Sequence, residues 1–164
     1  MTKMMSLALG VGVLTFAATG CSDEADIGID TQPVACLPNG GGEVHGSVSN
    51  GGYHHDFGAV TTQLFQDPDS GAAMVQLADS ELFLRIGFQC GPAELESYDV
   101  VPGTTQQLAC PYQVTGSIVG QIEYLGASDG VVIVDQNVNC LAGRFNVDLG
   151  DAGELTGWFS TPWQ

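Results

Sequence analysis

His45, His54 and His55 are the three histidines of the chain, and they cluster with Asp56 inside twelve residues. Neutral imidazole and carboxylate are ligands of zinc and related divalent ions. Asn50, Gly51 and Gly52 separate two short runs of alternating character, and they supply the positive φ that a tight hairpin requires. A hairpin centred on Asn50 and Gly51 sets His45 beside Asp56, with His54 on the same face. His55, adjacent to His54, must point to the other face of the strand. At most three ligands, His45, His54 and Asp56, can then converge on a metal; the plainer reading is a solvated polar hairpin.

Other residues offer weaker chemistry. Asp67, Asp69 and Gly71 resemble the opening of a calcium loop, but Ala78 stands where that loop needs a bidentate glutamate, so the stretch reads as a turn. Trp158 and Trp163 are the two tryptophans. Trp158 has parity opposite to Leu155 and Phe159, which turns it away from a core, and an outward aromatic can stack on sugar rings or fill a partner's pocket. Trp163 is the second candidate for such binding, and Tyr53, Tyr98 and Tyr112 could extend the platform. Glu94 with Glu96, and Asp148 with Asp151, are carboxylate pairs of the type glycosidases use, though any acidic chain contains such pairs. There is no Gly-x-Ser-x-Gly turn and, beyond Lys3, no lysine. The sequence implies no enzyme and no cofactor.

The elements that position these residues are strands. No long stretch has helical period. Alternation runs through Val44 to Val48, Met74 to Ala78, Leu82 to Cys90 and Tyr98 to Val101. It is longest from Val114 to Tyr124, with Val131 to Val134 as the expected partner of that run. A unit of apolar, any, Gly, any, apolar recurs at 44–48, 114–118, 118–122, 141–145 and 155–159. Glycine on the inward face of a strand makes room for a bulky neighbour and lets the sheet bend. The pattern predicts one all-β antiparallel domain, a sandwich or a strongly curled barrel built mainly from sequential hairpins.

Before the strands, Met4 to Ala18 is almost wholly apolar and follows Lys3. A helix there would span about 22 Å, short of the ~30 Å hydrocarbon layer, so it reads as an export signal helix and not as a membrane span. It ends at Ala18, Thr19, Gly20, Cys21, which is similar to the lipobox of bacterial lipoproteins. The resemblance implies that Cys21 is alkylated with diacylglycerol and becomes the new N-terminus. Ser22 in the next position implies sorting to the outer membrane. The alternative is an ordinary signal peptide whose following cysteine joins a disulfide. Parity favours the lipid: five cysteines less Cys21 leave Cys36, Cys90, Cys110 and Cys140, an even set suited to an oxidising compartment. Three pairings of those four are open.

The expected organisation is thus a lipoprotein signal peptide (1–20), a lipidated flexible acidic tether (21–35) and a disulfide-bonded β-domain (36–164). Net charge is −16, and removing Lys3 makes it −17. Such a surface disfavours nucleic acid and anionic lipid. The expected partners are the membrane, through acyl chains on Cys21, and an envelope protein or a saccharide.

Overall fold

The computed structural model describes residues 32–89, 97–102, 113–120 and 124–163, together with Ile29 and Gly91. The expected signal helix lies outside these residues, as do Cys21 and most of the tether. Among the described residues the regular structure is strand, apart from one 3-10 turn at Gly150–Ala152. None of their helices is long and apolar enough to cross a membrane.

Period two sets the strands. In β4 (Ala73–Ala78) and β5 (Leu82–Phe88) every second residue is buried, which gathers Val75, Leu77, Leu82, Leu84, Ile86 and Phe88 on one side. Each fully buried side chain of this size contributes about 1.5–3 kcal/mol. The same inward parity continues through β1 (Gly41–Asn50), β3 (Ala59–Gln66), β9 (Asp129–Gln136), β10 (Cys140–Asp148) and β11 (Glu154–Pro162), so a single core results.

One curved sheet encloses that core. One arc of it runs β6 (Ser97–Val100), β9, β10, β11, β1, and the other runs β3, β4, β5, β7 (Gln113–Gly120). They meet at two short seams. β1 and β3 pair through Gly42 with Val60 and Glu43 with Ala59, and β6 runs parallel to β7 through Asp99 with Gln113 and Val100 with Val114. The ladder therefore returns to its start as a strongly curled barrel, otherwise antiparallel. Side chains brace the seams. Thr62 Oγ1 donates to the Ser160 carbonyl at 2.7 Å and accepts the Gly41 N–H at 2.9 Å, while Tyr98 of β6 packs edge-on against Phe88 of β5 with ring centres 5.4 Å apart.

The expected pairing of the Val114 run with Val131 to Val134 does not form. β8 (Leu125–Gly126) returns along β7 for only two residues, and β6 occupies the rest of that edge. β9 pairs instead with β6 and β10.

The glycine repeat has a specific geometry in the β10–β11 hairpin. Gly143 lies opposite Phe159, and Phe145 lies opposite Gly157. Each ring thus covers the glycine of the other strand, and the backbones of neighbouring strands come close over both glycines.

The N-terminal strap is fixed to the start of β10. Cys36 and Cys140 form a disulfide with Cα atoms 5.8 Å apart, one of the three open pairings. Cys90 and Cys110 lie outside the described residues. Around the bridge, the Val34 N–H donates to Asp135 Oδ2 and the Leu37 N–H to Ser160 Oγ, at 3.0 and 2.9 Å. Arg144 grips the same Asp135 with two hydrogen bonds of 3.0 Å, a bidentate pair that is largely shielded from water.

Candidate functional site

The hairpin that carries the histidines has a different register from the expected one. Gly51 and Gly52 both take positive φ, +59° and +88°, and form the two-residue turn themselves. Asn50 becomes a paired residue opposite Tyr53, which puts Asp56 opposite Ser47 and not beside His45. β1 then leaves β2 (Tyr53–Asp56) and joins β11, where His45 faces Thr156. The expected metal ligands remain two separate exposed pairs, His45 with Glu43 at 3.8 Å and His54 with Asp56 at 3.3 Å. His54 Nδ1 also shares a 2.8 Å hydrogen bond with Ser49 Oγ. Among the described residues no three His, Cys, Asp or Glu side chains converge to hold a metal.

His55, left aside on parity grounds, is the histidine with a built environment. Its side chain is only 13% exposed; Nε2 donates to Asp79 Oδ2, and Nδ1 lies 3.6 Å from Glu81. Tyr53 donates its hydroxyl to the same Glu81 at 2.6 Å. The imidazole stacks on Tyr53 and meets Phe57 edge-on at 5.0 Å. The sequence signal was the spacing Tyr53, His55, Phe57, which marks one inward face. The hydrogen bond to Glu81, then burial and the neighbouring carboxylates, push the Tyr53 hydroxyl up to about 12. Burial opposes the charged form of Asp79, but the Leu82 and Glu81 N–H groups and His55 outweigh it and hold the carboxyl below its ordinary 3.8.

A depressed carboxyl stabilises the fold above its unfolded value, and that stability is lost as pH falls through the folded value. Asp79→Asn should therefore lower the urea midpoint at pH 6, and the difference from wild type should shrink steadily below about pH 4. Equal midpoints at neutral pH would show that Asp79 does not secure the turn. The cluster ties β2 to the β4–β5 turn. Among the described residues no hydroxyl or thiol is hydrogen-bonded to His55.

The second feature is an open cleft of about 550 Å³ lined by Ser97, Asp99, Asp129, Asn146, Asp148 and Glu154, with Gly130 and Val131. Asp148 stands directly opposite Asp129 on one side and Glu154 on the other. Local donors soften the repulsion. The Gly150 N–H donates to Asp148 and the Gly130 N–H to Asp129, each at 2.7 Å, and the buried Asn146 amide donates to Glu154. Of the expected carboxylate pairs, Asp148 lines the cleft without Asp151, and Glu94 and Glu96 lie outside the described residues.

Trp158 sits half-buried on the outer face, opposite Arg144 and Glu43, as its parity predicts. Trp163 is half-buried against the core at the end of β11, and Tyr98 is wholly buried. Tyr112 lies outside the described residues. Asp67 makes a plain turn, accepting from the Asp69 N–H and the Ser70 hydroxyl.

The cleft and the His55 cluster share one end of the barrel. Asp148 lies eight residues along β10 from Cys140, so the strap and the cleft stand on the order of 26 Å apart along the strand. Comparison with known protein families, with curated proteins and with solved structures finds no match for this chain.

Proposed function

We propose that the protein is a lipid-anchored cell-envelope protein, sorted to the outer membrane, whose barrel acts by binding or as a structural unit and not by catalysis. The stretch Ala18, Thr19, Gly20, Cys21 supplies the anchor. The observation that carries the reading is the polarity of the domain. The chain from Cys21 enters at the pole fixed by Cys36–Cys140, while the acidic cleft and the His55 cluster face away at the other pole. A saccharide is the second reading for the ligand, favoured by the half-exposed Trp158 on the outer face beside Glu43.

Cys21→Ser tests the anchor. Wild-type protein is expected in the membrane fraction and in the detergent phase on phase separation. The variant should move to the aqueous phase with its barrel intact by circular dichroism. Retention of Cys21→Ser in the membrane would overturn the reading.

A further inference from the structure

Three stretches that meet at the strap end of the barrel, residues 32–42, 136–143 and 155–163, contain no charged side chain. Among the described residues Glu43 borders these stretches, opposite Trp158, and most other carboxylates of the barrel lie further off. Asp79, Glu81, Asp129, Asp148 and Glu154 stand at the far pole, and Asp135, nearest the strap, is buried and paired with Arg144. Among the described residues acid also reaches the strap end at Asp67 and Asp69 of the β3–β4 turn, and the tether that leads to the strap carries Asp23, Glu24, Asp26 and Asp30.

Within the neutral area apolar side chains point outward. Val138, at the tip of the β9–β10 turn, is 84% exposed, and Leu37 is 38% exposed. Leu37 follows Cys36 and Val138 precedes Cys140 by two residues, so the disulfide holds both in one place. Pro162 pairs with Cys140, which brings Trp163 and its half-buried indole to the same end. Two exposed aliphatics and an amphipathic indole on an uncharged rim suit the boundary between headgroups and acyl chains. The rest of this acidic surface would be repelled by anionic lipid.

We propose that this pole rests on the lipid bilayer, with Val138 and Leu37 entering the acyl boundary and Trp163 at headgroup depth, so that the barrel stands on the membrane with its cleft outward. The proposal depends on lipidation of Cys21. Cys36 lies fifteen residues beyond Cys21; that length of chain spans about 50 Å at full extension and about 20 Å at coil dimensions. The anchor therefore holds the pole at high effective concentration near the surface, where a contact too weak to act alone becomes populated.

The test uses the full lipidated protein carrying Trp158→Phe, which leaves Trp163 as the single tryptophan, in phosphatidylcholine vesicles with brominated acyl chains. Flotation is read beside fluorescence. Trp163 should be quenched; quenching should be lost in Val138→Asp and kept in Val138→Leu, while all three float with the vesicles. Flotation without quenching overturns the proposal and leaves the anchor standing; shielding of Trp163 in native membranes alone would then mark a protein partner. Quenching that survives Val138→Asp also overturns it. Wild-type protein that fails to float overturns both the contact and the anchor.

Discussion

Cys36→Ala combined with Cys140→Ala should destabilise the barrel by about 4–5 kcal/mol. The bridge joins residues 104 apart, and in the chain-entropy description a loop of that length restrains the unfolded chain by about 4.7 kcal/mol, near the top of the 2–5 kcal/mol range for native bridges. Alanine is chosen because Cys140 is buried, where a serine hydroxyl would add a polar cost of its own. The change should lower the melting temperature by roughly 10–20 °C. It should also loosen the strap, which keeps the hydrogen bonds from Val34 and Leu37. Amide exchange over residues 34–37 would report that release separately from global stability. A melting temperature within two or three degrees of wild type would contradict the view that the bridge fixes the strap to the barrel.

Gly157→Ala should be the most damaging conservative change within the core strands. A Cβ at this position would stand 2.1 Å from the Glu43 carbonyl oxygen and 2.9 Å from the Phe145 ring. Neither neighbour can easily give way, because Glu43 belongs to the backbone of the adjacent strand and Phe145 is fully buried. Overpacking of this kind costs about 3 kcal/mol, the upper end of its usual range. Gly143→Ala should act alike, with its Cβ 2.2 Å from the Ile133 carbonyl oxygen and 3.2 Å from the Phe159 ring. Gly58 supplies the control, since nothing lies within 4 Å of its Cβ position, and Gly58→Ala should stay within about 0.5 kcal/mol. Urea midpoints of the three variants decide the matter. Equal effects at Gly58 and Gly157 would remove the reciprocal glycine and phenylalanine contacts as the reason for the repeat.

Alternation made β4 and β5 legible in the sequence, because each buries one face and a single apolar parity fixes its sides; β10 and β11 were legible through the glycine unit, although β10 buries residues of both parities. The glycine repeat likewise indicated a curled sheet, since the physical reason for glycine there is local. Pairing was less legible. Asn50, Gly51 and Gly52 permit two hairpin registers, and only the φ values of the two glycines select the one in which Asp56 faces Ser47. The placement of β6 between β7 and β9 depends on how far β8 runs back, which no local pattern encodes.

The polar clusters were hidden for a related reason. His55 meets Asp79 across 24 residues of sequence, and Asp129, Asp148 and Glu154 become neighbours through strand register alone. Carboxylates are common in this chain, so spacing gave no sign of which would meet. The neutral rim at the strap end was visible as three uncharged stretches, but their meeting required the fold.

Intact mass of the protein extracted from membranes, taken before and after reduction with alkylation, tests the anchored and bridged barrel most directly. The expected result is a chain that begins at Cys21, carries acyl mass, and takes up four alkyl groups only after reduction. A chain that begins elsewhere without lipid, or that accepts alkyl groups without reduction, would contradict the account and return Cys21 to the role of an ordinary thiol.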